Sequence, residues 1–164
     1  KEYNDVISGI LGEIYPECVT QSELFRTGRL EPIQINSALV SAQNRNRLYW
    51  TNIPGIEQPR DKGILLKDII ENYDGESEII SAAIGNSKKF YSESNSGKAY
   101  CLIKNHSFGI KINNEYRLFY PIECERLQTV PDNYTNHVSN SQRYKMLGNG
   151  WTVDVIAHIF KGLR

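Results

Sequence analysis

The sequence predicts an α/β fold on the strength of three features. Residues 33–40 and 48–53 carry apolar patterns typical of two buried strands. Between 153 and 163, apolar residues recur at the spacing of an amphipathic helix. The intervening segment 77–116 combines Ser, Asn, Lys and Gly with short apolar pieces, which predicts an irregular, β-rich lobe. Strand signals followed by a clear helix favour the α/β class.

Shorter patterns predict three further helices. Apolar residues between 4 and 11 fall at helical spacing, and Gly12 is a plausible stop signal. Residues 64–73 place four apolar side chains on one helical face. Pro121 followed by Glu123 is typical of a helix N-terminus, because proline lacks an amide hydrogen that would be orphaned there and acids favour the positive end of the dipole.

Composition limits the class of protein. With 164 residues, 40% apolar and 23% charged, the chain has the size and balance of one globular domain plus a small appendage. No apolar run approaches the ~20 residues that span a bilayer, and the first residues do not resemble a signal peptide, so we expect a soluble, cytoplasmic protein. Three widely spaced cysteines without a Cys-x-x-Cys pair indicate neither a disulfide framework nor a zinc site.

Charge is segregated along the chain. Nineteen Lys and Arg balance nineteen Asp and Glu, so net charge argues neither for nor against nucleic-acid binding. Residues 57–78 carry seven acidic and three basic side chains, whereas residues 86–116 carry five lysines and two glutamates. The predicted lobe is therefore locally basic.

The first motif occupies residues 43–50 and reads Gln-Asn-Arg-Asn-Arg-Leu-Tyr-Trp. Arg45 and Arg47 stand at alternate positions where a strand begins, so both point to the same side. Two guanidinium groups on one face suit an anion or a base edge, because each offers a planar fork of donors and keeps its charge. From the residues alone, two surface arginines at a solvated strand end are an equally good interpretation.

Two further motifs follow the lobe. Residues 117–128 read Arg-Leu-Phe-Tyr-Pro-Ile-Glu-Cys-Glu-Arg-Leu-Gln and predict a short capped helix with a structural role. Residues 147–153 read Leu-Gly-Asn-Gly-Trp-Thr-Val and predict a glycine turn before the last helix, where exposed amides would favour anions. Trp151 can pack on a ring of a ligand, although a Trp at a helix start more often packs in the core.

In this order, the three motifs resemble the last conserved blocks of the cytosine-5 DNA methyltransferase family. Those blocks are Gln-x-Arg-x-Arg on a strand, a variable region, Pro-x-Glu-x-x-Arg-Leu-Gln, and Gly-Asn-(Ser or Gly) before Val or Ile. The resemblance covers residues 33–56 and 116–163 and is nearest the de novo type and its bacterial, restriction-modification and phage relatives. It implies the C-terminal part of a Rossmann-like methyltransferase sheet.

The resemblance also implies roles for the motif residues. Arg45 and Arg47 would contact the backbone and the cytosine that is flipped out of DNA. Asn149, Gly150 and Trp151 would line the pocket for the cofactor, S-adenosylmethionine.

The variable region would be the target-recognition lobe that binds double-stranded DNA. On this interpretation residues 1–76 and 117–164 belong to the catalytic domain and residues 77–116 form the lobe. The lysines expected to neutralise DNA phosphates there are Lys88, Lys89, Lys98 and Lys104.

The family's chemistry needs residues that the sequence lacks. A cysteine thiolate in a Pro-Cys motif attacks C6 of cytosine, which makes C5 nucleophilic enough to accept a methyl group. Cys18, Cys101 and Cys124 each follow a residue other than proline, and neither a Glu-Asn-Val element nor a Gly-rich cofactor loop is present. In the family these elements precede the point that corresponds to Lys1, so we expect the chain to be inactive without an N-terminal half. Residues 13–30 resemble an insertion of unpredicted effect.

The sequence is compatible with two functions. The chain is either part of a split or longer enzyme, active only with its N-terminal half, or a non-catalytic DNA-binding or regulatory module on the same scaffold. The retained arginine pair and cofactor turn favour the first, and an unrelated α/β domain with chance matches is a remote third. Because half a sheet leaves an unpaired edge, we also expect self-association or a partner.

Overall fold

The computed structural model describes residues 31–84, 90–104 and 108–163. The predictions for a helix at 4–11, for the segment 13–30, and for Lys88 and Lys89 fall outside this part of the chain. Within it, helices and small sheets are mixed, which confirms the α/β class. No helix in these ranges has both the length and the apolar character that crossing a membrane requires.

Two short antiparallel strands form a hairpin where two buried strands were predicted, but the second strand is mostly exposed. They are β1 (Ile33–Asn36) and β2 (Asn46–Tyr49). The first strand ends early because the Asn36 side chain accepts a hydrogen bond from the Ala38 amide at 3.0 Å and starts the 3-10 turn Ser37–Leu39. The second does not reach Ile53, whose amide donates to Thr51 Oγ1 at 3.1 Å.

The helical spacing at 64–73 does not produce an α-helix, so that prediction was wrong. A 3-10 turn, Leu66–Asp68, forms instead. The Glu71 amide donates to Glu123 Oε1 at 3.0 Å, a tertiary contact in place of an intrahelical one, and Asn72 adopts a φ of 56°. Of the four side chains on the predicted face, Ile69 is buried in the core, and Ile64 and Tyr73 pack against that core partly buried.

A four-stranded antiparallel sheet occupies the segment predicted to be β-rich. Its strands are β3 (Ile79–Ile84), β4 (Phe90–Ser94), β5 (Phe108–Ile112) and β6 (Glu115–Leu118), in the spatial order β4-β3-β5-β6. Strands β5 and β6 are joined by Asn113 and Asn114, whose φ angles of 51° and 62° suit a two-residue hairpin turn. The strands are more regular than the irregular lobe that the sequence predicted.

The helix predicted at Pro121 is confirmed as α1 (Pro121–Leu127), with the proline in its first turn. The buried Glu123 carboxylate accepts a hydrogen bond from the Tyr120 amide at 2.7 Å and from both terminal nitrogens of Arg117 at 2.6 and 2.8 Å. It also accepts from the Glu71 amide at 3.0 Å. The motif thus joins β6 and α1 to the loop that contains Glu71. This is a structural role, as predicted.

A second helix, α2 (Asn140–Asn149), was not predicted. Its sequence is mostly polar and lacks a clear apolar face, so hydrophobic spacing gave no signal. Gly148 and Asn149, predicted to form a turn, complete its last turn. Gly148 is needed because a Cβ atom there would lie 2.3 Å from the carbonyl carbon of Ile103.

The last helix, α3 (Val153–Phe160), begins where the sequence predicted and ends before Leu163. Its Val155 and Ile159 pack with Ile35 and Val40 of the hairpin in a small hydrophobic core. A larger core lies between the four-stranded sheet, α1 and α2. Its fully buried members include Ile110, Phe119 and Leu127.

Candidate functional site

A buried polar network connects the three sequence motifs. The Gln43 side-chain amide donates to the Leu127 carbonyl at 2.6 Å and to Gln128 Oε1 at 3.1 Å. Its oxygen accepts from the Leu102 amide at 3.3 Å. Gln128 Oε1 also accepts from the Thr152 hydroxyl at 3.0 Å. Residues far apart in sequence therefore meet at one point. Because these polar groups are buried, they must hydrogen-bond to one another.

Arg45 lies beside this network and is 5% exposed. Its Nη1 donates to the Leu102 carbonyl at 2.7 Å and to Cys101 Sγ at 3.2 Å. Its Nη2 donates to the carbonyls of Gly150 at 2.8 Å and Gly148 at 3.4 Å. The four acceptors are three backbone carbonyls and a sulfur, and none of them is a carboxylate.

Arg47 is exposed, unlike Arg45. Its Nη2 donates to Cys101 Sγ at 3.4 Å and its Nη1 to the Asn46 carbonyl at 3.3 Å. Both arginines thus contact the same sulfur, which confirms that they point to the same side of the strand. They differ in how much of the guanidinium remains accessible.

The predicted cofactor residues follow one another at the end of α2. Asn149 is exposed, and Trp151 is 66% exposed. Gly150 uses both of its backbone groups internally: its amide donates to the Met146 carbonyl at 2.8 Å, and its carbonyl accepts from Arg45. Gly150 therefore shapes the turn, while its two neighbours present side chains to solvent.

The amides at the start of α3 do not form the anion site that the sequence predicted. The Val153 amide donates to the Gln128 carbonyl at 3.0 Å, and the Asp154 amide donates to Thr129 Oγ1 at 2.9 Å. Both donors are satisfied within the protein. That part of the prediction was wrong because the residues after α1 cap the last helix.

The arginine pair and the turn line one open pocket of about 580 Å³. Burial raises the pKa of the Tyr49 phenol in its wall, while the positive charges of Arg45 and Arg47 act in the opposite direction. Among the described residues, the lining contains two guanidinium groups and no carboxylate. The pocket therefore suits aromatic and anionic groups. Its lining residues are Arg45, Arg47, Leu48, Tyr49, Trp50, Thr51, Gly148, Asn149, Trp151, Ile156, Ile159 and Phe160.

The family model for the C-5 cytosine-specific DNA methylases matches residues 31–164, which include all three motifs and the pocket. The chain belongs to this family. The match confirms the resemblance that the motif order predicted.

Relatives among known proteins are bacterial type II methyltransferases. The chain is 40% identical over 58 residues to M.BanI of Aneurinibacillus aneurinilyticus, covering 35% of this chain and 14% of that protein. It is 39% identical over 51 residues to M.HhaI of Haemophilus parahaemolyticus, covering 31% of this chain and 16% of that protein. For M.HgiCI of Herpetosiphon aurantiacus the identity is 34% over 58 residues, covering 35% and 14%. The matched stretches thus span a small part of these relatives' length.

The lysines predicted to bind DNA have different surroundings. Lys98 Nζ donates to the carbonyls of Ala38 at 2.7 Å, Ser41 at 3.1 Å and Ile64 at 2.5 Å, and burial lowers its pKa. Its ammonium therefore connects the sheet side of the molecule to the hairpin. Lys104 is exposed.

Cys124 does not have the properties of a nucleophile. Its thiol is 2% exposed in the larger core, and its pKa is raised chiefly by burial and further by the carboxylates of Glu123 and Glu125. Cys101 is partly exposed but is absent from the pocket lining. No group of His, Cys, Asp and Glu in the described part of the chain is arranged to hold a metal ion.

Several residues of the site were missed by the sequence analysis. Gln43 and Gln128 belong to the motifs but were given no role, because polar neighbours in the sequence give no signal that these side chains are buried. Phe160 lines the pocket from α3, and only the tertiary packing of that helix on the hairpin places it there. Cys101 lies in a segment without any recognisable pattern.

Proposed function

We propose that this chain forms the C-terminal, DNA-reading part of a DNA cytosine-5 methyltransferase. The observation that carries the proposal is the single pocket lined by the arginine pair together with Asn149 and Trp151. Family membership supports methylation of DNA as the reaction. In this proposal strands β3 to β6 are the target-recognition lobe, and the hairpin with α3 ends a Rossmann-like cofactor-binding sheet.

The residues of the pocket fit one wall of a site for S-adenosylmethionine. The indole ring of Trp151, which is 66% exposed, offers a face to an adenine ring or a sulfonium cation. The Asn149 side chain offers both a donor and an acceptor at the same edge. When bound, the cofactor supplies an electrophilic methyl group. Trp151 and Asn149 would bind and orient it.

The arginine side of the pocket fits a cytosine that has left the DNA duplex. An enzyme reaches C5 of a paired base only after that base is extruded, and the extruded base is then held by hydrogen bonds to its edge. Arg47 has an exposed guanidinium at the rim and can donate to a pyrimidine oxygen or to the adjoining phosphate.

The nucleophile must then come from outside this chain's described residues. Cys124 is buried with a raised pKa, and Cys101 does not line the pocket. Methyl transfer therefore requires the family's Pro-Cys segment on an N-terminal half. We propose that half as the chain's partner, with double-stranded DNA as the substrate.

Complementation tests this function. The chain is mixed with the N-terminal half of a bacterial C-5 cytosine methyltransferase, and methyl incorporation into duplex DNA is measured. We expect incorporation only with both proteins. DNA binding without incorporation for every cognate half tried would favour the alternative, a non-catalytic DNA-binding or regulatory module.

Two matched substitutions separate catalysis from docking. Arg47→Ala should lower the turnover of the complemented enzyme at saturating DNA by about 100-fold and change DNA affinity little, because this side chain acts once the base is extruded. Lys104→Ala should weaken DNA binding with normal turnover and reduce the salt dependence by about one phosphate contact. If Arg47→Ala behaves like Lys104→Ala, Arg47 contacts only the backbone and its assignment to the base is wrong.

A further inference from the structure

The terminal donors of Arg45 are saturated by protein acceptors. Each terminal nitrogen of a guanidinium carries two hydrogens, so the group has four terminal N–H donors. Nη1 contacts the Leu102 carbonyl and Cys101 Sγ, and Nη2 contacts the carbonyls of Gly150 and Gly148. These terminal nitrogens could bind a base only by giving up one of the buried contacts, which is costly for a charged group.

The acceptors of Arg45 belong to two different parts of the molecule. Residues 101–102 continue from Tyr100, whose amide donates to Ser81 Oγ of strand β3 at 3.1 Å. Residues 148–150 form the end of α2 and the turn that lines the pocket. One rigid, planar side chain therefore connects the four-stranded sheet to the proposed cofactor turn.

Arg47 differs from Arg45, because its terminal nitrogens make fewer contacts. Within the described residues it uses one donor contact from each terminal nitrogen, and the side chain is exposed at the pocket rim. It keeps donors that can reach a ligand. The shared acceptor Cys101 Sγ places the two guanidinium groups side by side.

We propose that the pair divides its functions: Arg45 is a positioning residue that holds the cofactor turn against the lobe, and the exposed Arg47 contacts the extruded base. The division rests on the proposed function for its ligand, but the bridging role of Arg45 stands on the contacts themselves. Its consequence is that Arg45, together with the neighbouring Gln43 network, couples the placement of the lobe to the shape of the cofactor wall.

The conservative variants Arg45→Lys and Arg47→Lys form a matched pair for testing the bridge. Lysine ends in one nitrogen, so it cannot replace a fork that donates to two segments, whereas at an exposed rim it keeps the charge. Amide hydrogen exchange is measured in the isolated chain at Leu102 and Gly150, whose amides donate to Gln43 Oε1 and the Met146 carbonyl. Arg45→Lys should accelerate both by about tenfold, and Arg47→Lys should accelerate neither.

Kinetics of the complemented enzyme give the second readout. Arg45→Lys should raise the KM for S-adenosylmethionine, because the turn that lines its pocket loosens. Arg47→Lys should lower kcat and leave that KM unchanged. If Arg45 only stabilised the fold, Arg45→Lys would reduce the amount of active enzyme without changing the KM of the enzyme that remains active.

The outcomes separate the two proposals. If no cognate N-terminal half yields methylation, the proposed function fails, while hydrogen exchange still decides the bridge. Equal exchange in the two variants, or acceleration confined to one segment, would overturn the division. Should Arg45→Lys not fold, Cys101→Ala removes one acceptor of Nη1 and should accelerate exchange at Gly150 to a smaller extent. An unchanged Gly150 amide in Cys101→Ala would then also overturn the bridge.

Discussion

Gln43 illustrates how a single side chain organises the site. Its amide group is fully buried, and a polar group left unpaired in such surroundings costs about 1–3 kcal/mol. The Leu127 carbonyl has a second donor in the Ser41 hydroxyl at 2.6 Å, and Gln128 Oε1 has a second donor in Thr152. The Leu102 amide has Gln43 Oε1 as its acceptor, so this amide is the group most dependent on the glutamine.

Replacing Gln43 by leucine should therefore lower the free energy of unfolding by about 2 kcal/mol, chiefly because the Leu102 amide loses its partner in the interior. Urea unfolding of both proteins measures the difference. Gln142→Leu, at an exposed position of α2, is the matched control and should change stability little. A loss no greater than in the control would contradict the role of the network.

At the residue scale, sequence patterns located the site but did not show how Arg45 and Arg47 differ within it. Alternation along a strand predicted that Arg45 and Arg47 share a side, and their contacts with Cys101 confirm it. That one guanidinium is buried and the other exposed depends on residues 101–102 and 148–150. Those segments approach only through tertiary packing, which local patterns do not encode.

Helix α1 is held in place by the carboxylate of Glu125. Glu125 is fully buried and accepts hydrogen bonds from the Thr135 amide at 2.8 Å, the Asn133 amide at 2.7 Å and Arg143 Nη2 at 2.9 Å. Burial acts to raise the pKa of this carboxyl, but the donors outweigh it and hold the pKa below its usual value. The carboxylate thus connects α1 to the following loop and to α2.

The lowered pKa of Glu125 makes stability depend on pH in a defined direction. The stabilisation is fully present above the unfolded pKa of about 4.3 and is lost as the pH falls through the lower pKa of the folded state. Glu125→Gln should lower the free energy of unfolding by about 3 kcal/mol at neutral pH. It should also make the loss of stability in acid less steep. Thermal unfolding from neutral to acid pH measures both, with the exposed Glu115→Gln as control. Parallel pH profiles for wild type and Glu125→Gln would refute the assignment.

Among the elements, those with strong local signals were predicted best. Helix α1 starts with a proline and a capping glutamate, and α3 has a regular apolar face, so both were found. Helix α2 was missed because its side chains are polar, and its Gly148 is required by the nearby Ile103 backbone rather than by a turn. A short turn at Leu66–Asp68 formed in place of a helix, and tertiary hydrogen bonds use the Glu71 amide and the Ile69 carbonyl that a helix would pair internally.

For the whole molecule, the basic character predicted for the lobe depends on which lysines are accessible. Lys98 donates to three backbone carbonyls, and Lys111 pairs with Glu93 at 3.2 Å. Of the lobe lysines that the structure describes, Lys104 remains the exposed one without a partner of this kind. Sequence composition counts charges, whereas DNA binding depends on those left free to meet phosphates.

The same pocket that carries the proposed function also exposes an apolar surface. Leu48, Trp151 and Phe160 line it with 48%, 66% and 56% of their surfaces accessible. Contiguous apolar surface of this kind marks a contact site, and β1 and β2 pair only with each other among the described strands. We therefore expect the isolated chain to self-associate as its concentration rises.

Phe160→Ser should reduce this self-association, whereas Tyr134→Ser, at an equally exposed aromatic outside the pocket lining, should leave it unchanged. Sedimentation velocity over a range of concentrations measures the association. Adding the N-terminal half should convert the self-associated chain into a complex of the two proteins. Self-association and binding of the N-terminal half would compete for the same apolar surface. A chain that stays monomeric at every concentration, or oligomers that persist unchanged in Phe160→Ser, would show that the surface around the pocket is not a contact site.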